Sequence, residues 1–259
     1  MLNILLSGCY GKLSHAVIEF IETQSGARII AGIDPAAAGG TGRAPLPFPV
    51  FQTPAEVRDV QPDVILDCSL PAALPGLLEY ALREKLPLVI CTTGYGEAEH
   101  AMVDNAAKQI PIFQSGNMSL GIALLRQLAK QAAGLLGESF DIEIIEAHHN
   151  QKIDAPSGTA YILGNAVNEG LASPRPYEFN RQPKREARAK EEIGMHAVRG
   201  GTLAGEHTVL FAGFDEVVEL THKAYSKRIF AAGAVNAARF IADCGPGRYS
   251  MEDMVNPCS

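Results

Sequence analysis

The sequence predicts an α/β protein: a parallel sheet wrapped by helices, followed by a second domain with a mixed sheet. Three observations carry this. Short apolar runs alternate with helical stretches up to about residue 119, and a glycine-containing turn joins the first run to the first helix. Beyond residue 120 the pattern changes to a strand of alternating apolar and acidic residues and to a hairpin. Short strands that are apolar on both faces and alternate with helices belong to a parallel sheet covered on both sides.

The elements follow in order. Leu2–Ser7 is a strand, Lys12 to Thr23 a helix, and Arg28–Ile33 a second strand ending at Asp34. Pro35 to Pro49, rich in Ala, Gly and Pro, reads as a loop. Asp63–Cys68, Leu86–Cys91 and Ile110–Gln114 are further strands, separated by the helices Leu74–Arg83 and Glu97–Lys108. Ile122–Leu136 then carries apolar residues at helical spacing, and Phe140–Ala147 alternates as a strand with one buried face. Ser157–Asn168 is a helix, and Pro174 to Lys190, dense in Arg, Lys and Pro, reads as an exposed, mobile loop. Gly205–Gly213 and Glu216–His222 pair across a turn at Phe214 and Asp215, and Ile229–Asp243 is an Ala-rich helix. The change in pattern places a domain boundary near Ser119, with the last helix expected to return to the first domain.

Composition narrows the function classes. A chain of 259 residues with 47% hydrophobic and 20% charged residues has the material for real cores. A net charge of −7 argues against nucleic-acid binding, which needs a basic face, yet permits a local basic pocket. No stretch approaches the length of a membrane span, and Leu2–Leu6 is too short for a secretory core, so a cytoplasmic location is expected. Cys9, Cys68, Cys91, Cys244 and Cys258 are odd in number and never spaced as CxxC, the pattern of reduced thiols.

Gly8-Cys9-Tyr10-Gly11-Lys12-Leu13-Ser14 stands between the first strand and the first helix. Glycines there allow a tight turn and let a pyrophosphate approach the amides of the helix N-terminus. The pattern is GxxGxxS, short of a full GxGxxG, and a plain glycine turn competes with it. Asp34, at the end of the second strand, strengthens the dinucleotide reading, because an acid there accepts from the adenosine ribose hydroxyls. Such an acid repels a 2′-phosphate and favours NADH. Lys12 offsets the repulsion and leaves NADPH open, so the residues are compatible with use of both.

Residues 146–160, EAHHNQKIDAPSGTA, carry the densest chemistry. Ser157, Gly158 and Thr159 open a helix whose amides and positive end suit a carboxylate. Lys152 adds a compact charge, and His148 and His149 bring imidazoles, side chains able to give up a proton. Two simpler readings compete. The histidines could ligate a metal with His196, His207 or His222, but adjacent side chains on extended chain point apart. Ser157 could serve only as a helix cap, which leaves the cations upstream unexplained.

The 146–160 run resembles the signature of the dihydrodipicolinate (4-hydroxy-tetrahydrodipicolinate) reductase family, and the similarity extends along nearly the whole chain. It takes in 8–14, Asp63–Pro71, Cys91-Thr92-Thr93-Gly94, Ser115-Gly116-Asn117-Met118-Ser119, Arg199-Gly200-Gly201 with Gly205-Glu206-His207-Thr208, and His222-Lys223-Ala224. The resemblance implies a Rossmann-type dinucleotide-binding domain at 1–119 and 227–259, and an α+β mixed-sheet domain at 120–226 that binds substrate and forms a homotetramer. It implies that Gly8, Cys9, Tyr10, Gly11, Lys12, Leu13, Asp34, Cys91, Thr92, Thr93, Ser115, Gly116, Asn117 and Met118 line the cofactor. His148 and Lys152 become the catalytic pair, and His149, Gly158 and Thr159, with Ser157 beside them, hold a small dicarboxylate. No metal is implied.

Three positions depart from the family's pattern: Cys91 stands where glycine is usual, Ser14 replaces a usual glycine, and Pro35 takes the place of an Arg some members use for the 2′-phosphate. They bear on cofactor preference and thiol sensitivity. The expected chemistry is hydride transfer from NAD(P)H to a dehydrated cyclic imine, with domain closure hinged near Ser119 and Ser226. The alternatives are a reductase of the same fold acting on another amino-acid-derived imine or ketone, and a non-catalytic nucleotide sensor.

Overall fold

A computed structural model describes residues 1–23, 26–38 and 44–255. Residues 39–43 of the Pro35–Pro49 loop, and Cys258, lie outside the described residues. The chain divides into two compact units, Met1–Ser119 with Lys227–Ser259, and Leu120–Ser226.

The first unit holds β1 (Leu2–Ser7), α1 (Lys12–Glu22), β2 (Ala27–Ile33), β3 (Val50–Phe51), β4 (Val64–Asp67), α2 (Leu74–Glu84), β5 (Leu88–Ile90), α3 (Glu97–Ala106) and β6 (Pro111–Gln114). The C-terminal segment adds α6 (Arg228–Ile241), β12 (Gly247–Tyr249) and α7 (Met251–Val255). The strands form one sheet in the order β12-β6-β5-β4-β1-β2-β3, and every pairing is parallel. Burial explains the sequence pattern. Ile4, Leu5, Leu6, Val64, Ile65 and Leu66 are all fully buried, which requires helices on both faces. Helix α6 packs on α1, β4, β5 and β6. Its Ala231, Ala234, Val235, Ala237, Ala238 and Ile241 lose all exposure. A Cβ on Gly233 would fall 1.6 Å from the Met118 carbonyl oxygen, so the helix approaches that backbone closely.

The second unit comprises α4 (Leu120–Leu136), β7 (Asp141–His148), α5 (Gly158–Gly170), β8 (Tyr177–Glu178), β9 (Ile193–Arg199), β10 (Gly205–Ala212) and β11 (Val217–Ala224). Its sheet runs β11-β10-β7-β9-β8. The β7–β10 and β10–β11 pairs are antiparallel, and β7–β9 and β8–β9 are parallel. Ile122, Leu125, Ala129, Leu163 and Val167 from α4 and α5 pack on Ile142, Ile144, Ile193, Met195, Val209 and Phe211.

One expectation needs correction. Residues 174–190 are not simply an exposed loop: they contain β8, bury Arg175, and are tied down by Arg181 and Arg188. Both arginines reach the Glu143 carboxylate at 2.8 Å, and Arg188 also donates to the carbonyls of Ile142 and Glu192. Charge density suggested solvation, but Glu178 and Glu192 nearby and Glu143 and Asp141 on a distant stretch of chain neutralise it. The sequence does not announce strand β9, because Gly194 and His196 interrupt its apolar residues. The short strands β3 and β12 and the helix α7 escaped notice for want of any periodic pattern.

Candidate active site

In the first unit the loop after β1 is built by backbone constraints. Gly8 adopts φ +72°, and a Cβ there would sit 2.7 Å from the Cys68 carbonyl oxygen. The Gly11 amide donates back to Gly8 O (2.8 Å), and Gly11 then opens α1. Ser14, fully buried, donates its hydroxyl to Gly8 O at 2.7 Å, so the departure from glycine adds a brace without crowding the turn. The Asp34 carboxylate accepts from Tyr10 N (3.2 Å) and Ala36 N (3.0 Å) and so ties the end of β2 to the loop.

These groups open onto a groove of about 610 Å³ lined by Gly8, Tyr10, Gly11, Asp34, Ala36 and Leu70. Lys12, Leu13, Cys91, Ser115, Gly116 and Met118 line a second cavity of about 260 Å³. Thr92 and Thr93 line a third of about 340 Å³. All three lie at the carboxyl ends of parallel strands, and the first flanks the switch point where strand order reverses between β1 and β4. The groove and the Gly8 turn, where a side chain would collide with backbone, fit a dinucleotide approaching close to the chain.

Two of the expected residues serve the fold with their side chains. Cys9 is fully buried against Gly32, where a Cβ would meet its Sγ at 2.7 Å. The Asn117 Oδ1 accepts from Ser119 N (2.9 Å). Sequence reasoning gave Asp67 no role, yet it anchors this edge. Burial pushes its carboxyl above the ordinary range, while hydrogen bonds from Ser69, Thr92 (2.7 Å) and Ser7 pull the other way. The Cys91 thiol is driven well up by its hydrogen bond with Cys68, by burial, and by the nearby Cys68 and Asp67 charges.

In the second unit the helix-facing side of the sheet changes from apolar to polar along β7: Ile142, Ile144, then Glu146 and His148. Its neighbours follow suit in register. Phe211 and Val209 give way to His207 opposite Glu146, and Ile193 and Met195 to Arg199 opposite His148. At this polar end His148 Nδ1 lies 2.5 Å from Glu146 Oε2. Arg199 clamps both Glu146 oxygens at 2.7 and 2.8 Å. Burial alone would raise Glu146, but the bonds from Arg199 and His148 win and hold it below the usual carboxylate range.

Ser157 caps α5, its hydroxyl accepting from Ala160 N (3.2 Å) and lying 3.0 Å from His207 Nε2. The Ser157 amide donates to Glu146 Oε1 at 3.0 Å. Gly158 is exposed, with open space where a Cβ would project, and Thr159 follows in the first helical turn. Lys152 holds the Asp154 carboxylate through both oxygens, 2.7 and 2.8 Å, and His149 is partly exposed. The structure therefore gathers His148, Ser157, Glu146, His207 and Arg199 into one network, while Lys152 has its own carboxylate partner. Glu146 and Arg199 were given no functional role, and His207 only that of a possible metal ligand. A period-two count would have found Glu146, two residues before His148 and hence on the same face.

A parallel sheet with a glycine turn at its switch point, followed by a mixed-sheet unit with a buried histidine–carboxylate network at a helix cap, is the build of a dinucleotide-dependent oxidoreductase. Comparison narrows this further. The family model "Dihydrodipicolinate reductase, N-terminus" matches residues 2–118, and "Dihydrodipicolinate reductase, C-terminus" matches 121–255. The chain belongs to the dihydrodipicolinate reductase family. It is 45% identical to the 4-hydroxy-tetrahydrodipicolinate reductase of Caldanaerobacter subterraneus subsp. tengcongensis, covering 98% of both chains. It is 42% identical to that of Clostridium novyi, again over 98% of each. Among solved structures, dipicolinate-bound dihydrodipicolinate reductase from Paenisporosarcina sp. TG-14 matches with a TM-score of 0.82 at 25% identity, over 98% of this chain and 99% of that one. No described helix is long and apolar enough to cross a membrane.

Proposed function

We propose that the chain reduces the dehydrated form of 4-hydroxy-tetrahydrodipicolinate to tetrahydrodipicolinate with NADH or NADPH, within diaminopimelate and lysine biosynthesis in the cytoplasm. The observation that carries this is the polar end of β7, where His148 stands beside a helix N-terminus opened by Ser157, Gly158 and Thr159.

The first unit holds the nucleotide through Gly8 to Leu13, Asp34, Cys91 to Thr93 and Ser115 to Met118. The reduced nicotinamide, when bound, supplies the hydride. Asp34 favours the free ribose of NADH, and Lys12, exposed at the start of α1, offsets its charge enough to admit NADPH.

The second unit seats the two carboxylates on the first-turn amides of α5 and on His149. Adding hydride to the conjugated ring leaves an electron pair that must be protonated, and His148 delivers that proton. Lys152 stabilises the negative charge that develops, and an incoming carboxylate competes with Asp154 for its ammonium. The outward face of the sheet, with Ile145 and Val198 exposed, supports assembly into a tetramer.

The test is optical. Oxidation of NADH and of NADPH is followed while the hydroxylated ring substrate is generated in the cuvette, and both should be consumed. A chain that oxidises neither, but oxidises one with another amino-acid-derived imine, is a different reductase.

A further inference from the structure

A carboxylate shut away from water is costly unless its lone pairs are met. Glu146 is such a group, with no exposed surface. Its partners come from three separate stretches of chain: His148 on its own strand, Ser157 at the start of α5, and Arg199 at the end of β9. Arg199 alone would neutralise the charge, since it binds both oxygens and extends onward to the Asp154 carbonyl (2.6 Å). The bonds to His148 and Ser157 are additional, and each reaches a group with a part in the proposed reaction.

Because Arg199 keeps Glu146 ionised, its oxygens can only accept. The nitrogen 2.5 Å away, His148 Nδ1, must therefore carry a hydrogen, which leaves Nε2 to exchange a proton with a ligand. The ring is braced by His207, edge-on at 5.1 Å between centroids. Space beside Nε2 is kept by Gly205, where a Cβ would lie 3.0 Å from that nitrogen.

We propose that Glu146 is a positioning residue, which fixes the His148 imidazole with Nε2 as the exchanging nitrogen and, through the Ser157 amide, holds the α5 carboxylate seat in register with it. This rests on the reading of His148 as proton donor, and extends it to the group that sets the donor's tautomer.

The test combines spectroscopy with kinetics. In ¹⁵N-histidine protein, at a pH high enough to leave the ring neutral, His148 should show the Nδ1–H form. The signal is assigned by its loss in His148→Ala. Glu146→Gln presents an amide that cannot accept from both His148 and Ser157, so the ring should move to the Nε2–H form. Turnover should then fall about 10²-fold or more, and the substrate KM should rise, with NADH affinity unchanged. Glu146→Asp should keep the Nδ1–H form and recover part of the turnover. A folded Glu146→Gln protein with wild-type tautomer and kinetics overturns the proposal. Should that variant not fold, the wild-type spectrum decides alone, because an Nε2–H tautomer there overturns it equally. Absence of NAD(P)H oxidation by wild-type protein would instead sink the proposed reaction and leave the tautomer result standing.

Discussion

His148→Ala and Lys152→Ala test the two residues on which the proposed chemistry turns. Each should lose about 10²- to 10⁴-fold in turnover with nucleotide affinity unchanged, as measured by kinetics and by titration of NADH. Full turnover in both variants would remove the assigned roles. His207 makes a separate, pH-dependent prediction. Burial, then the neighbouring His148, brings it from 6.5 down to about 4. As pH falls below 6.5 the unfolded chain takes up a proton that the folded chain refuses until about 4. Stability is therefore lost across that window, by roughly 3 kcal/mol when complete. The depressed Glu143 and Glu146 act lower, below their ordinary value of 4.5. His207→Gln should flatten the fall in thermal midpoint between pH 6.5 and 4, and a fall as steep as the wild type's would refute the assignment. Cys91 concerns reactivity: a thiol pushed well above its ordinary range presents little thiolate at pH 7, so alkylation should be slow. The sequence suggested thiol sensitivity at this position. The hydrogen bond with Cys68, burial and the Asp67 charge point the other way.

At the scale of elements, the segment 174–190 shows what charge density conceals. Arg188 donates to Glu143 and Asp141 side chains and to the carbonyls of Ile142 and Glu192. Arg188→Ala should cost about 2–3 kcal/mol, lower the thermal midpoint by several degrees, and speed proteolytic cleavage within 180–190. Unchanged cleavage would mean the segment is held by other contacts. The same residues show the limit of reading pattern alone. β7 was legible because its alternation is local, and α4 and α6 because their apolar residues recur at helical spacing. β9 was not, because its seven residues bury Ile193, Gly194 and Met195 but leave Ala197 and Val198 exposed, and its partner β7 lies some fifty residues earlier.

For the whole molecule, the discontinuous first unit shows how distant stretches of chain share one core. α6 belongs with residues 1–119 because its small side chains let it settle onto β4, β5 and β6, a fit hinted at by the Ala-rich run. In the second unit, helices cover one face of the sheet and the other carries Ile145 and Val198 at 39% and 50% exposure. Light scattering should return the mass of four chains, and a charged substitution, Val198→Glu, should shift it downward. A monomeric wild type would remove the tetramer from the proposal.

Local sequence determined the glycine turn before α1, the alternation of β7 and the capping run at 157–159, because each depends on backbone freedom or on spacing within one element. Tertiary structure alone decided which charges are partnered. Glu146, Arg199, Ser157 and His207 lie up to some sixty residues apart; the register of β7 between β9 and β10 aligns the first, second and last on one face, and the start of α5 brings Ser157 to them. Burial then makes their hydrogen bonds obligatory, because a charge removed from water must find its partners inside the protein.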